Sequence, residues 1–434
     1  MVNIHYLCEK KLSNHLLSHF MTRTIKLALL SLAMLTSVAA CAAQQKKTEV
    51  KNDEGTTAAS TSVVLAADRI DQYVPLLKGK RIALLSNQTG ITSKGKHVLD
   101  VMLENGLKVT EIFSPEHGFR GKADAGEHVS SSVDEKTGIP IASLYDGKSN
   151  RPSKESMDKF DVLVTDLQDV GLRYYTYYIT MANLMEACIE HNKEFVVFDR
   201  PNPNGMYVDG PILDMELKSG VGRFPICTVH GMTMGEIALM ANGEGWLKDG
   251  KQVKLTVIPC LNYTHQTRYE LPIAPSPNLP NMLSIYLYPS ICYFEGTTVS
   301  LGRGTDQPFQ CYGHPDMTCR PFDFTPTSRF GAKTPPQQDK LCHGVDLRGL
   351  KYEDVIARGI DLTYVVDAYQ DLRSQGKQFY LKTGKRNFFN LLMGNTQVAE
   401  MMEAGKSATE IKASWQPDVE KFKAQRKPYL LYAE

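Results

Sequence analysis

The amino-acid sequence predicts an α/β protein built on a mostly parallel sheet, with a smaller α+β part following it. Three observations carry this reading. From about residue 80, short apolar runs of strand length alternate with longer helical stretches; four of those runs end in dense polar clusters; and from Leu271 the composition shifts to Pro-rich and Gly-rich sequence before helical patterns resume.

In chain order the first element is a leader. Met21-Thr22-Arg23-Thr24-Ile25-Lys26 is a short basic stretch, followed by LALLSLAMLTSVAA, an apolar run that ends in small residues at Cys41. This is the pattern of a secretory signal, and the run falls short of the roughly 20 apolar residues that a membrane-spanning helix needs. Its end, Val38-Ala39-Ala40-Cys41, resembles a bacterial lipobox, so Cys41 is expected to carry a lipid anchor on an exported protein of the periplasm or cell surface. An ordinary cleaved signal with Cys41 incidental is the alternative. Residues 1–40 are assigned to leader and signal peptide, and 41–62 to a flexible tether of small and charged residues with a mean reach of about 25 Å.

The folded part opens with RIALL (81–85), the helix-like HVLDVMLENG (97–106) and KVTEIF (108–113), which read as strand, helix, strand. The theme continues through IASLY (141–145), DVLVTDL (161–167), an amphipathic stretch from Tyr174 to His191, and EFVVFD (194–199). A further helix runs from Met232 to about Trp246, with Thr233 as N-cap and Glu236 three residues on as the second half of a capping box; VKLTVIP (253–259) follows as a strand. The Pro-rich and Gly-rich stretch places a boundary near 271–310, giving a catalytic part over 63–290 and an auxiliary part over 291–434. Helical patterns in the latter cover roughly Leu362–Gln375, Thr396–Ala404 and Trp415–Arg426.

Composition excludes several functions. Lys+Arg 49 against Asp+Glu 48 leaves a net charge of +1, which argues against a nucleic-acid partner. No GxGxxG follows the first strand and no GxxxxGK[ST] occurs, so no nucleotide cofactor is expected; without HExxH or paired histidines, no metal is expected either. The absence of GxSxG disfavours a serine esterase. Seven cysteines lie beyond Cys41, an odd number that forbids complete pairing; Cys311 with Cys319 or Cys342 is the candidate bridge.

The chemistry is expected where strands end. RIALL runs into Ser86-Asn87-Gln88-Thr89-Gly90, KVTEIF into Ser114-Pro115-Glu116-His117-Gly118-Phe119-Arg120-Gly121, DVLVT into Asp166-Leu167-Gln168-Asp169-Val170-Gly171, and EFVVF into Asp199-Arg200-Pro201-Asn202. Ligands of open parallel sheets bind beyond the carboxyl ends of the strands, so these loops converge on one pocket. Glu116, desolvated beside His117 and Arg120, suits a general acid; a structural carboxylate that caps a helix or pairs with Arg120 is its other reading. Asp166 and Asp169, with Arg173 close behind, come next, and an Asp in such a place also serves as a helix N-cap. Asn87, Gln88, Arg200 and Asn202 are candidate substrate contacts. His230 is either a substrate contact or a satisfied core histidine, and Glu295 and Arg303 either close over a ligand from their Gly-rich loop or form a solvated turn.

Taken together, SNQTG, FSPEHGFRG, DLQDVGLRYYTY, FDRPNPNG, GPIL, HGMTMGE, SPNLP, EGTTVSLGRGTDQPF and PYLLY form an ordered set that resembles the exo-β-N-acetylmuramidase family of bacterial peptidoglycan recycling, across most of residues 80–432. The resemblance implies a Rossmann-like domain that carries the active site, a smaller auxiliary domain, and release of N-acetylmuramic acid from non-reducing ends of peptidoglycan fragments. It matches the family's catalytic glutamate to Glu116. Muramic acid carries a lactyl carboxylate, and arginine suits its recognition, which makes Arg120, Arg173, Arg200 and Arg303 candidates. A non-catalytic muropeptide-binding lipoprotein and an esterase or amidase of the same polymer are the rival readings.

Overall fold

Six parallel strands and one antiparallel edge strand make the large sheet of the computed structural model, which describes residues 62–115, 119, 132–144, 150–383 and 386–434. The strands are β1 (Arg81–Ser86), β2 (Lys108–Ser114), β3 (Ser132–Val133), β4 (Pro140–Ser143), β5 (Val162–Asp166), β6 (Glu194–Phe198), β7 (Asp209–Ile212), β8 (Cys227–Val229) and β9 (Lys254–Ile258). Those of the sheet lie in the order β3-β4-β2-β1-β5-β6-β9, with β3 antiparallel to β4. Numbered among themselves, the parallel strands run 3-2-1-4-5-6, the order of a doubly wound Rossmann-type sheet. The direction of winding reverses between β1 and β5, which pair in parallel from Ile82↔Val162 to Ser86↔Asp166.

The strands are legible as apolar runs because both faces are covered: all five residues of β5 are buried. Alternate residues of β1 serve opposite cores. Ala83 and Leu85 pack in a cluster with Met181, Leu184 and Ile237, from helices Tyr177–Glu190 and Met234–Gly243. Ile82 and Leu84 pack with Tyr73, Leu77, Leu99 and Met102, from helices Ile70–Leu77 and Val98–Glu104. The helix Met234–Gly243 starts at the expected capping box: Thr233 Oγ1 accepts from the Glu236 amide at 3.3 Å, and Glu236 returns the bond to the Thr233 amide at 2.9 Å.

Beyond this sheet come small antiparallel ones. β7 pairs with β8, and β10 (Cys311–His314), β11 (Phe322–Phe324) and β12 (Cys342–Asp346) form a sheet in the order β10-β12-β11. Helices Thr363–Ser374, Gln397–Glu403 and Gln416–Arg426 fall on the three expected patterns. Several helices were not anticipated, among them Ile70–Leu77, Tyr352–Arg358, Phe388–Met393 and one that reaches the site. Met282–Ile291 lies inside the Pro-rich stretch and is buried at every residue, so it has no polar face from which a period could be read; its start is marked by a capping box between Asn281 and Ser284. The last residues return to the main sheet, where the Tyr432 hydroxyl donates to Asp199 Oδ2 at 2.6 Å and the Leu431 amide to Glu236 at 2.7 Å.

The expected disulfide is corrected. Cysteines 188, 227, 260, 292, 311, 319 and 342 are free, and all but Cys319 are buried. Cys311 stands opposite Asp346 in the β10–β12 ladder, four residues along the strand from Cys342, which is roughly 13 Å and far beyond disulfide reach.

Candidate active site

The loops after β1 and β5 meet at the switch point and are laced together. Ser86 Oγ donates to the Asp166 carbonyl at 3.0 Å, and Thr89 Oγ1 accepts from the Gln168 amide at 3.0 Å. Asn87 is buried and organises the first loop: its Oδ1 accepts from the Thr89 amide and hydroxyl, while its Nδ2 donates to the Tyr177 hydroxyl at 2.9 Å. Tyr175 and Tyr177 both donate to the Pro275 carbonyl, at 3.0 and 3.2 Å, and Gln88 Nε2 reaches the neighbouring Ala274 carbonyl. Strand β1, the start of the helix Tyr177–Glu190 and the segment 274–276 therefore frame one opening.

That opening is a cavity of about 110 Å³, lined by Tyr174, Tyr175, Tyr177, Ser276, Tyr288 and Phe309 together with Glu295 and Arg303. A second cavity of about 260 Å³ lies against Glu295, Arg303, Leu301 and the segment 331–336. Glu295 and Arg303 belong to both walls. Their ion pair closes at 2.6 Å through Arg303 Nη2, with Nε at 3.2 Å from the same Glu295 oxygen, and the guanidinium lies 5.1 Å from the centroid of the Phe309 ring. Aromatic walls with a few convergent polar groups are what a small-molecule site requires.

The structure separates the sequence candidates into cavity and framework. Asp166 and Arg200 hold each other as a buried pair: Arg200 Nε and Nη2 grip the two oxygens of Asp166 at 2.5 and 2.9 Å, and Nη2 also donates to the Ile91 carbonyl. Their side chains are 0% and 3% exposed. Arg173 is a clamp. It is fully buried, and its two terminal nitrogens donate to the carbonyls of Pro211, Ile226, Leu392 and Met393. Asn202 is a brace between loops, donating to the Met232 carbonyl and accepting from the Asn204 amide.

His230 is buried, with its Nε2 without a hydrogen-bond partner among the described residues. Burial, with Arg426 and Arg173 nearby, pushes its pKa down to about 3, so the ring is neutral, and its Nδ1 accepts from the Met232 amide. Asp169 is different from Asp166. Its Oδ1 accepts from the Gly171 amide at 2.7 Å, its Oδ2 has no hydrogen-bond partner among the described residues, and burial raises its pKa to about 7. Gln88 Oε1 is also buried without a partner among the described residues. Glu116, His117 and Arg120 lie outside the described residues, as does Cys41; β2 leads to Glu116 through Ser114 and Pro115.

Sequence reasoning passed over the tyrosines. Tyr175, Tyr177, Tyr288 and Phe309 line the cavity, yet a lone aromatic reads equally well as core; the unusual run Tyr174-Tyr175-Thr176-Tyr177 directly after a strand-end loop marked the first two, and no local signal marked Tyr288 or Phe309.

Fold and site define the class: a doubly wound α/β enzyme with an aromatic, acid-bearing cleft at its topological switch point. Comparison with known proteins narrows it. The family model for the N-terminal part of the exo-β-N-acetylmuramidase NamZ matches residues 82–283, and that for its C-terminal part matches residues 286–432. The chain therefore belongs to the exo-β-N-acetylmuramidase NamZ family, a family of glycoside hydrolases. It is 37% identical, over 95% of its length and all of the relative's, to the peptidoglycan β-N-acetylmuramidase NamZ of Bacillus subtilis strain 168. Two crystal structures of DUF1343 family proteins from Bacteroides fragilis NCTC 9343 share the fold. One is 57% identical with a TM-score of 0.79, covering 86% of this chain and 100% of its own. The other is 27% identical with a TM-score of 0.72, covering 85% and 99%.

Proposed function

We propose that the protein is an exo-acting glycoside hydrolase that releases N-acetylmuramic acid from the non-reducing ends of peptidoglycan fragments. The observation that carries this reading is the aromatic cavity at the switch point, with a carboxylate and a guanidinium in its wall, in a chain of this family. Glu116, one residue beyond Pro115 at the end of β2, is the general acid that protonates the glycosidic oxygen. Glycoside cleavage needs a second group, and a sugar with a 2-acetamido substituent supplies one itself if a carboxylate steadies it. Of the two aspartates considered, Asp166 is committed to Arg200, which leaves Asp169, whose Oδ2 has no hydrogen-bond partner among the described residues. The Bacillus subtilis relative is a peptidoglycan β-N-acetylmuramidase, which favours catalysis over a binding lipoprotein.

The protein works at the membrane surface, anchored through Cys41 by its tether, with residues 63–290 as catalytic part and 291–434 as auxiliary part. The direct test of activity is incubation of the purified chain with a chromogenic β-N-acetylmuraminide and the matching glucosaminide. Release from the muraminide is expected; no release from either between pH 4 and 8 would overturn the assignment.

A further inference from the structure

The four arginines considered for the lactyl carboxylate do not stand equal once their donors are followed. Arg173 has both terminal nitrogens committed to backbone carbonyls. Arg200 has Nε and Nη2 taken by Asp166 and the Ile91 carbonyl, which leaves Nη1 without a second nitrogen to complete an end-on fork, and it borders neither cavity. Arg120 lies outside the described residues. Arg303 differs in three ways. Glu295 takes only the side edge of its guanidinium, Nε and Nη2, through a single oxygen. Nη1 has no hydrogen-bond partner among the described residues and is not among their sealed, partnerless atoms, which leaves the end edge, Nη1 with the second hydrogen of Nη2, open for a further acceptor. And the residue borders both cavities.

The backbone holds this arrangement on purpose-built turns. Gly302 and Gly304, on either side of Arg303, have φ of 83° and 80°. A Cβ at Gly302 would lie 2.6 Å from the Gln307 carbonyl oxygen, and one at Gly304 would lie 2.6 Å from the Thr327 carbonyl oxygen and from Pro335. Only glycine fits on either side, so the guanidinium is delivered at a fixed place over the Phe309 ring rather than on a free loop.

We infer that Arg303 is the specificity residue of the site, reading the lactyl carboxylate of the muramic acid through its open end edge while Glu295 keeps the side edge. This rests on the proposed muramidase reading and adds to it the residue that distinguishes muramic acid from glucosamine. An end-on fork takes a planar carboxylate with two parallel hydrogen bonds, and a glucosamine terminus, with a hydroxyl in place of the lactyl ether, leaves that fork unpaired. Cleavage should therefore depend on the negative charge of the lactyl group, and the dependence should reside in Arg303.

The test compares kcat/KM for a chromogenic muraminide and for its lactyl methyl ester, with wild-type protein, Arg303→Ala and Arg303→Lys, each checked for folding by circular dichroism and thermal melting. The wild type should prefer the free acid over the ester by about ten- to a hundredfold, the range of a charge-assisted contact. Arg303→Ala should bring that ratio close to one, and Arg303→Lys, which keeps the charge and loses the fork, should give an intermediate ratio and decides the matter if the alanine variant does not fold. A wild type indifferent to esterification, or variants that keep the wild-type ratio, would overturn the assignment of Arg303 while leaving the muramidase reading in place. A wild type inert towards both compounds would instead overturn the muramidase reading, and this inference with it.

Discussion

Asp166 and Asp169 show how three positions along one chain separate a carboxylate gripped by a guanidinium from a buried one held by a backbone amide. Asp166 ends β5 with both oxygens held by Arg200, in a place without solvent. Removing one partner of such a buried pair strands the other charge, so Asp166→Ala should destabilise the fold by about 3–5 kcal/mol, measured as a loss of unfolding free energy in urea. A change below about 1 kcal/mol would contradict the framework role. Asp169 makes a different prediction, on pH. Its folded-state pKa is about 7 against 3.8 unfolded, so the native state keeps a proton that the unfolded chain releases; the resulting stabilisation is full below about pH 4 and is lost as pH rises through 7. Relative to Asp169→Asn, wild-type stability should fall between pH 4 and pH 8, read from urea melts across that range; a constant difference would contradict the buried carboxyl with its raised pKa. Neither role was legible in the sequence, since both residues are an Asp at the end of one strand. What distinguishes them is Arg200, which folding brings from 34 residues away. Arg173 was hidden more deeply still, because two of its carbonyl partners lie 219 and 220 residues on.

Among elements, the loop Leu301–Gly304 carries the clearest expectation. Gly304→Ala adds a Cβ at positive φ, against Pro335 and the Thr327 carbonyl, and should cost more than about 1 kcal/mol of stability while lowering kcat/KM through displacement of Arg303. Gly220→Ala, where an added Cβ meets nothing within 4 Å, should stay within about 0.5 kcal/mol of wild type. Equal effects of the two would show that close approach is not what holds the loop. The main sheet was readable because its strands are covered on both faces and stand out as apolar runs, and the helix Met234–Gly243 because its capping box is local in sequence. Helix Met282–Ile291 was missed for the opposite reason, being apolar all round and interrupted by Pro289. Strands β10 to β12, of three to five residues in turn-rich sequence, offered too little alternation to read.

At the scale of the whole molecule, the reversal of winding between β1 and β5 explains why loops from distant parts of the sequence meet at one cleft, whose wall Tyr288, Glu295, Arg303 and Phe309 complete. The N-terminal segment adds a claim about place. Cys41→Ser should release the protein from membranes in cell fractionation, and wild-type protein that is wholly soluble and cleaved elsewhere than before Cys41 would remove the anchor. The central claim, that this cleft hydrolyses muraminides with Glu116 as the acid, is tested most directly by incubating a disaccharide with N-acetylmuramic acid at its non-reducing end with wild-type protein and with Glu116→Gln, and following the products by mass spectrometry. The wild type should liberate free N-acetylmuramic acid, and the variant, folded but without its transferable proton, should be slower by about 10²–10⁴-fold. Intact disaccharide after prolonged incubation with the wild type, or a variant that keeps more than about half of wild-type turnover, would contradict the account.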